Sequence, residues 1–188
     1  MILSVDNFLD NETFDILNAS MLSKIDSAKS RTADDVGNEK SYSVSYTGLH
    51  GDILLPSMHL GAHIRPIIDK VRNYIETEIG KSVPDVESTH YAFMSQGYVI
   101  RRHVDSVSTP IDFDELAKNY KAFIFSHNEW EEEWGGHLCF KSTEEEYLPL
   151  PNRLVVYTTD EPHWTILMNE KSGDATRMIM GIRFGNYY

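Results

Sequence analysis

Seven short β-rich segments crowd the second half of this chain, and they constrain its fold more than any other feature. From Val86 onward they run Thr89–Met94, Tyr98–His103, Tyr120–Ser126, His137–Lys141, Arg153–Thr158, Trp164–Met168 and Thr176–Phe184, separated by turns rich in Gly, Pro, Asp and Asn. A parallel sheet would need a crossover of a dozen or more residues between successive strands, so short, evenly spaced strands favour a sandwich or barrel. The first part of the chain reads differently. Asp10 and Asn11 offer an N-cap, and Phe14, Leu17, Met21 and Ile25 form one stripe of an amphipathic helix. Residues 27–41 read as a polar loop and Ser41–Tyr46 as an edge strand. A second helix is expected from about Pro66 to Ile79, burying Ile68, Val71, Ile75 and Ile79 and ending at Gly80. Helices first and strands later predict a single domain over 1–188 that is mainly β with flanking helices. Its helical support covers about 1–85 and its β core about 86–188.

Composition narrows the function classes. The one cysteine, Cys139, excludes an intramolecular disulfide and a zinc site built on several thiolates. The start Met1–Asp6 lacks the basic opening of a signal peptide, and no apolar run approaches the roughly 18–20 residues of a membrane span. A cytoplasmic location without membrane contact is the expectation. A formal net charge of −12 disfavours nucleic acid as a partner, because polyanions are repelled at long range. A neutral or cationic substrate is easier to accommodate.

The chemistry is concentrated at His103-Val104-Asp105. In an extended strand, residues i and i+2 share a face, so the imidazole and the carboxylate can aim at one metal ion. Two ligands do not make a site. His59 and His63 have helical i, i+4 spacing, but Gly61 interrupts them and the glutamate of a zinc-protease helix is missing. His50 and His90 have no chemical context, and His127 and His137, which bracket the turn Asn128–Gly136, suit a surface role. His163 is different, because it follows the apolar run Leu154–Tyr157 and the turn Thr159–Pro162 and then opens a new strand. From that position it can face His103 and Asp105 across a barrel. Two imidazoles and one carboxylate on one side of a metal are the pattern of non-haem Fe(II) oxygenases, with three positions left open. A bidentate 2-oxoacid would then need a cation for its far carboxylate. Arg177 opens the last strand on the same period-2 face as Ile179, Gly181 and Arg183, and a guanidinium in an apolar interior calls for an anion. Arg183 reads instead as an ion pair at a strand end.

Together these residues resemble the Fe(II)/2-oxoglutarate-dependent dioxygenases, in particular the prolyl-4-hydroxylase-like branch. The resemblance covers about residues 88–185: His103-Val-Asp105, Trp130-Glu-Glu-Glu-Trp134-Gly135-Gly136-His-Leu138, Asn152-Arg153-Leu-Val-Val-Tyr157, His163 and Arg177. Val5-Asp-Asn-Phe-Leu9 followed by a helix is similar to the family's N-terminal region. The resemblance implies a double-stranded β-helix, a jelly-roll core of two facing sheets. It implies Fe(II) on His103, Asp105 and His163, with these three as the catalytic centre, and 2-oxoglutarate gripped by Arg177. Tyr91, from Tyr91-x5-Gly97-Tyr98, is a second contact to the cosubstrate by the same likeness. The chain departs from some members in carrying Phe125 where they have a tyrosine. Arg177 lies 14 residues after His163, an excess that a hairpin at Asn169–Gly173 can absorb.

The implied activity is hydroxylation of a peptidyl prolyl residue or a small molecule, with dioxygen as partner, succinate and CO2 as products, and ascorbate as a candidate reductant. The alternatives are a catalytically inactive metal-binding or regulatory jelly-roll protein, a cupin-type metalloprotein without 2-oxoglutarate, and a nucleic-acid demethylase of the same superfamily.

Overall fold

The computed structural model describes residues 1–25, 41–47, 63–105 and 119–185. Its strands are β1 Ile2–Val5, β2 Ser41–Thr47, β3 Val86–Met94, β4 Tyr120–Phe125, β5 Leu138–Phe140, β6 Glu146–Tyr147, β7 Leu154–Thr158, β8 His163–Thr165 and β9 Arg177–Phe184. Its helices are α1 Asn11–Leu22 and α2 Ile64–Ile79. Six strands form one antiparallel sheet in the order β1-β7-β4-β9-β3-β2, and three form a second in the order β6-β5-β8. The segment from Gly97 to His103 runs beside β8: Thr165 N–H donates to Ile100 O at 3.1 Å and Met168 N–H to Tyr98 O at 3.0 Å. Two facing sheets of this kind are the jelly-roll core expected from the sequence.

Alternation along β9 divides the core in two. Met178, Met180, Ile182 and Phe184 face the helices, where they meet Leu17 and Met21 of α1 and Ile64, Ile68, Val71 and Ile75 of α2. Ile179 faces the small sheet with Phe123, Phe125, Leu138, Phe140, Val155 and Tyr157. The large sheet is therefore apolar on both faces, as a sheet between two layers must be. Asp10 caps α1 by accepting from Thr13 N at 2.9 Å. α2 begins at Ile64, two residues before the expected start, which leaves Pro66 in the first turn where its missing N–H is not needed. Gly80 ends it in the left-handed region at φ 67°.

The N-terminal part is more than helical support. β1 pairs with β7 and β2 with β3, so residues before Val86 supply both edges of the large sheet. Asn152, at φ 59°, fastens the first of these edges: its amide exchanges hydrogen bonds of 2.8 and 2.7 Å with the backbone of Leu9. Beside it Arg153 donates to Asp6 Oδ2 at 2.9 Å. The Asn-Arg pair and the Val5–Leu9 stretch are thus two halves of one clasp. The loop expected over 27–41 lies almost entirely outside the described residues, as do His50 and His59. Among the described residues, no helix is long and apolar enough to cross a membrane.

Candidate metal and cosubstrate site

His103 and His163 meet across an isolated antiparallel bridge. Their backbones exchange hydrogen bonds of 3.0 and 2.8 Å, and their ring centroids stand 4.3 Å apart. Asp105 follows on the same face, and one donor atom from each of the three residues lies within 4.8 Å of the others. Each imidazole Nδ1 sits against the carbonyl two residues earlier, Arg101 O at 2.9 Å and Glu161 O at 3.0 Å. A carbonyl only accepts, so Nδ1 carries the proton and Nε2 keeps its lone pair. That is the tautomer a metal ligand needs.

The surroundings keep Asp105 and His163 in ligating form. Burial pushes Asp105 up, but Lys121, whose Nζ donates to Oδ1 at 2.7 Å, and the two histidines outweigh it and hold the carboxyl below its usual range. Burial lowers His163 more than the Asp105 charge raises it, so the ring stays neutral. Tyr157, fully buried, has its hydroxyl 3.2 Å from Asp105 Oδ2 and 3.2 Å from His163 Nε2. Burial and the Asp105 charge push this phenol well above 10, so it remains a donor.

A cavity of about 290 Å³ opens between the sheets, lined by His103 and His163 and, further in, by Arg177. This is the lower end of small-molecule sites. The Arg177 side chain is 1% exposed and stacks over the Phe125 ring at 5.1 Å. Nη1 donates to Met94 Sδ at 3.3 Å, while Nε and Nη2 have no hydrogen-bond partner. Burial brings the guanidinium down to about 10, still charged at neutral pH. A buried cation with two idle donors fits a carboxylate, and two imidazoles with one carboxylate fit a divalent first-row ion. The residues present therefore suit both groups that the pattern implies.

Gly135 and Gly136 pack close to Leu167, Met168 and the Arg177 stem. Both have positive φ, 77° and 74°, and a Cβ on Gly135 would come within 2.1 Å of Leu167 O. Trp130 Nε1 donates to Gly135 O at 3.0 Å. The hairpin expected over Asn169–Gly173 is a short 3-10 turn, Glu170–Ser172, capped by the Asn169 side chain.

Several expectations need correction. Tyr91 lies on the helix-facing side of β3, buried in the outer core, with its hydroxyl 3.3 Å from Ser20 Oγ. Period 2 explains the error: Met94 pairs with Arg177 in register, so the cavity side of β3 carries Met94, Ala92 and His90, and Tyr91 is turned away. His127, expected at the surface, is buried. It accepts from Met178 N at 3.2 Å and donates to Pro149 O at 2.5 Å. Burial first, then the Arg177 charge, bring it down to about 4 against the opposing pull of those bonds. Arg183 pairs with Glu87 at 2.7 Å, as expected of a strand-end ion pair. Three residues at the site were given no role there by the sequence: His90, set aside for want of chemical context, Lys121 and Tyr157. Lys121 and Tyr157 are register partners on β4 and β7, a relation invisible before the pairing is known.

Fold and cluster together define a class: a double-stranded β-helix with two histidines and one carboxylate converging between its sheets. No family model matches the chain, and no curated protein matches it by sequence. Solved structures do. A Pseudomonas putida prolyl-4-hydroxylase aligns at TM-score 0.65 with 18% identity, over 99% of this chain and 92% of its own. The viral collagen prolyl hydroxylase of Paramecium bursaria Chlorella virus-1, in complex with 2-oxoglutarate, aligns at TM-score 0.64 with 12% identity, over 99% and 96%. HygX from Streptomyces hygroscopicus, with nickel and 2-oxoglutarate bound, aligns at TM-score 0.62 with 9% identity, over 100% and 83%. The fold of this chain is the fold of these oxygenase structures.

Proposed function

We propose that the chain is an Fe(II)- and 2-oxoglutarate-dependent oxygenase that hydroxylates a peptidyl prolyl residue or a small molecule. The observation that carries the reading is Arg177, a buried cation with idle donors in the same cavity as the histidine–carboxylate cluster. A structural metal site would not need it. His103, Asp105 and His163 hold the ion, and Arg177 takes the far carboxylate of the cosubstrate. When bound, iron and 2-oxoglutarate supply the oxidation, in which 2-oxoglutarate, O2 and a substrate C–H become succinate, CO2 and a hydroxylated product.

The chain's own residues bind, orient and exclude water. Nδ1–H bonds to Arg101 and Glu161 fix the two rings, and Tyr157 and Lys121 hold the two oxygens of Asp105. Phe123, Leu138 and Ile179 give the cavity apolar walls that strengthen the Arg177 contact. The prolyl hydroxylases among the structurally similar proteins favour a prolyl substrate, and the charge of −12 speaks against a polyanion. The test is succinate formation from 2-oxoglutarate with Fe(II) and ascorbate, with and without proline-containing peptides and free amino acids. Absence of succinate under every condition, with metal and 2-oxoglutarate both bound, moves the chain to the regulatory reading.

A further inference from the structure

Lys121 stands where an oxygenase centre of this kind does not need a cation. Its Nζ lies 2.7 Å from Asp105 Oδ1, with the two side chains only 17% and 12% exposed. Its place is fixed by the ladder, between Tyr157 on β7 and Arg183 on β9, and Nζ stays 5.2 Å from the Phe123 ring centroid. Lys121 and Arg177 reach the cavity from well-separated backbone positions. The two cations sit on the same face of the large sheet, but Lys121 pairs in register with Arg183, six residues beyond Arg177 along β9, or roughly 20 Å at strand rise.

The cavity lining carries two cationic side chains, Lys121 and Arg177, and no carboxylate; Asp105 is the sole counter-charge beside it among the described residues. The formal charge of Lys121, Arg177 and Asp105 together is +1, in a chain of net charge −12. A divalent ion entering alone must share its only anionic ligand with an ammonium group and adds charge to a cavity that is already positive. A dianion entering with it offsets that added charge.

We propose that Lys121 is a brake on metal binding: it holds the Asp105 carboxylate against a lone cation, so that metal and 2-oxoglutarate bind cooperatively. The proposal rests on the reading of the site as a metal and 2-oxoglutarate centre. Linkage makes the effect reciprocal, so whatever factor 2-oxoglutarate adds to metal affinity, the metal adds to 2-oxoglutarate affinity.

The experiment is anaerobic titration of the metal-free protein with Mn(II), with and without saturating 2-oxoglutarate, read by calorimetry and by the free Mn(II) EPR signal. Wild type should bind Mn(II) about tenfold or more tightly when 2-oxoglutarate is present, a factor that one unit charge near a divalent ion supplies even in a solvent-like dielectric. Lys121→Met should bind Mn(II) alone about tenfold more tightly than wild type and show a smaller 2-oxoglutarate effect. Lys121→Arg should behave as wild type. Lys121→Gln, which keeps a hydrogen-bond donor and loses the charge, should follow the Met variant. Weaker Mn(II) binding in the Met variant, or wild-type behaviour in the Gln variant, makes Lys121 a support for Asp105 and overturns the brake. Equal coupling in all four proteins overturns this inference and leaves the oxygenase reading standing. Failure of 2-oxoglutarate to bind wild type loaded with Mn(II) overturns both.

Discussion

The imidazole of His90 lies directly against the backbone of Gly181: a Cβ at that glycine would come within 2.1 Å of Cε1 and 2.4 Å of Nε2. The two residues are register partners on β3 and β9, and the ring turns edge-on to Phe123 at 6.4 Å. Glycine is thus required here for close approach, since a methyl group would push the ring into the cavity. Gly181→Ala should weaken 2-oxoglutarate binding to the Mn(II)-loaded protein by about tenfold or more, the scale of overpacking a well-filled site. Adding His90→Ala to the same protein should restore most of that loss. No change in the single variant, by calorimetry, would mean that the ring has room elsewhere.

Arg177 predicts opposite effects on binding and on stability. Removing a charge-assisted pair costs about 1.5–3 kcal/mol, so Arg177→Met should raise the apparent 2-oxoglutarate requirement about 10- to 100-fold. The same change should stabilise the ligand-free protein by about 1–3 kcal/mol in urea melts. The reason is that burial brings the guanidinium from 12.5 to about 10, a penalty on the charged form that the folded protein bears until an anion arrives. A variant that loses stability would show that the stacking on Phe125 outweighs the unmet charge.

His103→Ala and Asp105→Ala should each reduce Fe(II)-dependent succinate formation to background, because each removes one of three ligands from a site with no spare donor in the cluster among the described residues. Asp105→Ala also strips Lys121 of its partner, so its fold should be checked by circular dichroism first. Full turnover in either variant would remove the three residues from the centre.

His127 should make stability depend on pH. Its folded value is about 4 against 6.5 for the free side chain, because burial, helped by the Arg177 charge, outweighs the opposing pull of its two hydrogen bonds. Between those values the unfolded chain binds a proton that the folded chain refuses. Stability is therefore complete above 6.5, falls as pH drops through that window, and levels off near 4, with up to about 3 kcal/mol lost. Urea melts from pH 7.5 to 4.5 measure it. His127→Asn, lacking the titration, should flatten the curve over this window, and an unchanged slope would assign the dependence to other groups.

Most of the β core was legible because its strands are short, apolar and bounded by turns. The His-x-Asp pair was legible for a similar local reason, since one residue of spacing decides which side chains share a face. His163 and Arg177 could be read from their places at strand starts. What the chain could not show was long-range register. Tyr91 and His90 are neighbours with equal claims until β3 is paired with β9, and that pairing turns His90 inward. Lys121 and Tyr157 look like an ordinary exposed lysine and core tyrosine until β4 and β7 align them beside Asp105. His127 looked superficial because polar neighbours follow it, yet its two ring nitrogens satisfy backbone groups in the interior.

Strand β9 lies between β4 and β3 in the middle of the large sheet, although it follows every other strand of that sheet in sequence. Until it inserts, β3 with β2 and β4 with β7 and β1 are two separate ribbons, each with an open edge. The residue that opens β9 is Arg177. Joining the ribbons and bringing Arg177 to the cavity are thus one and the same pairing event. With β9 unpaired the chain would keep most of its strands and all three residues of the histidine–carboxylate cluster, yet lack the buried cation that the proposed reading assigns to a diacid.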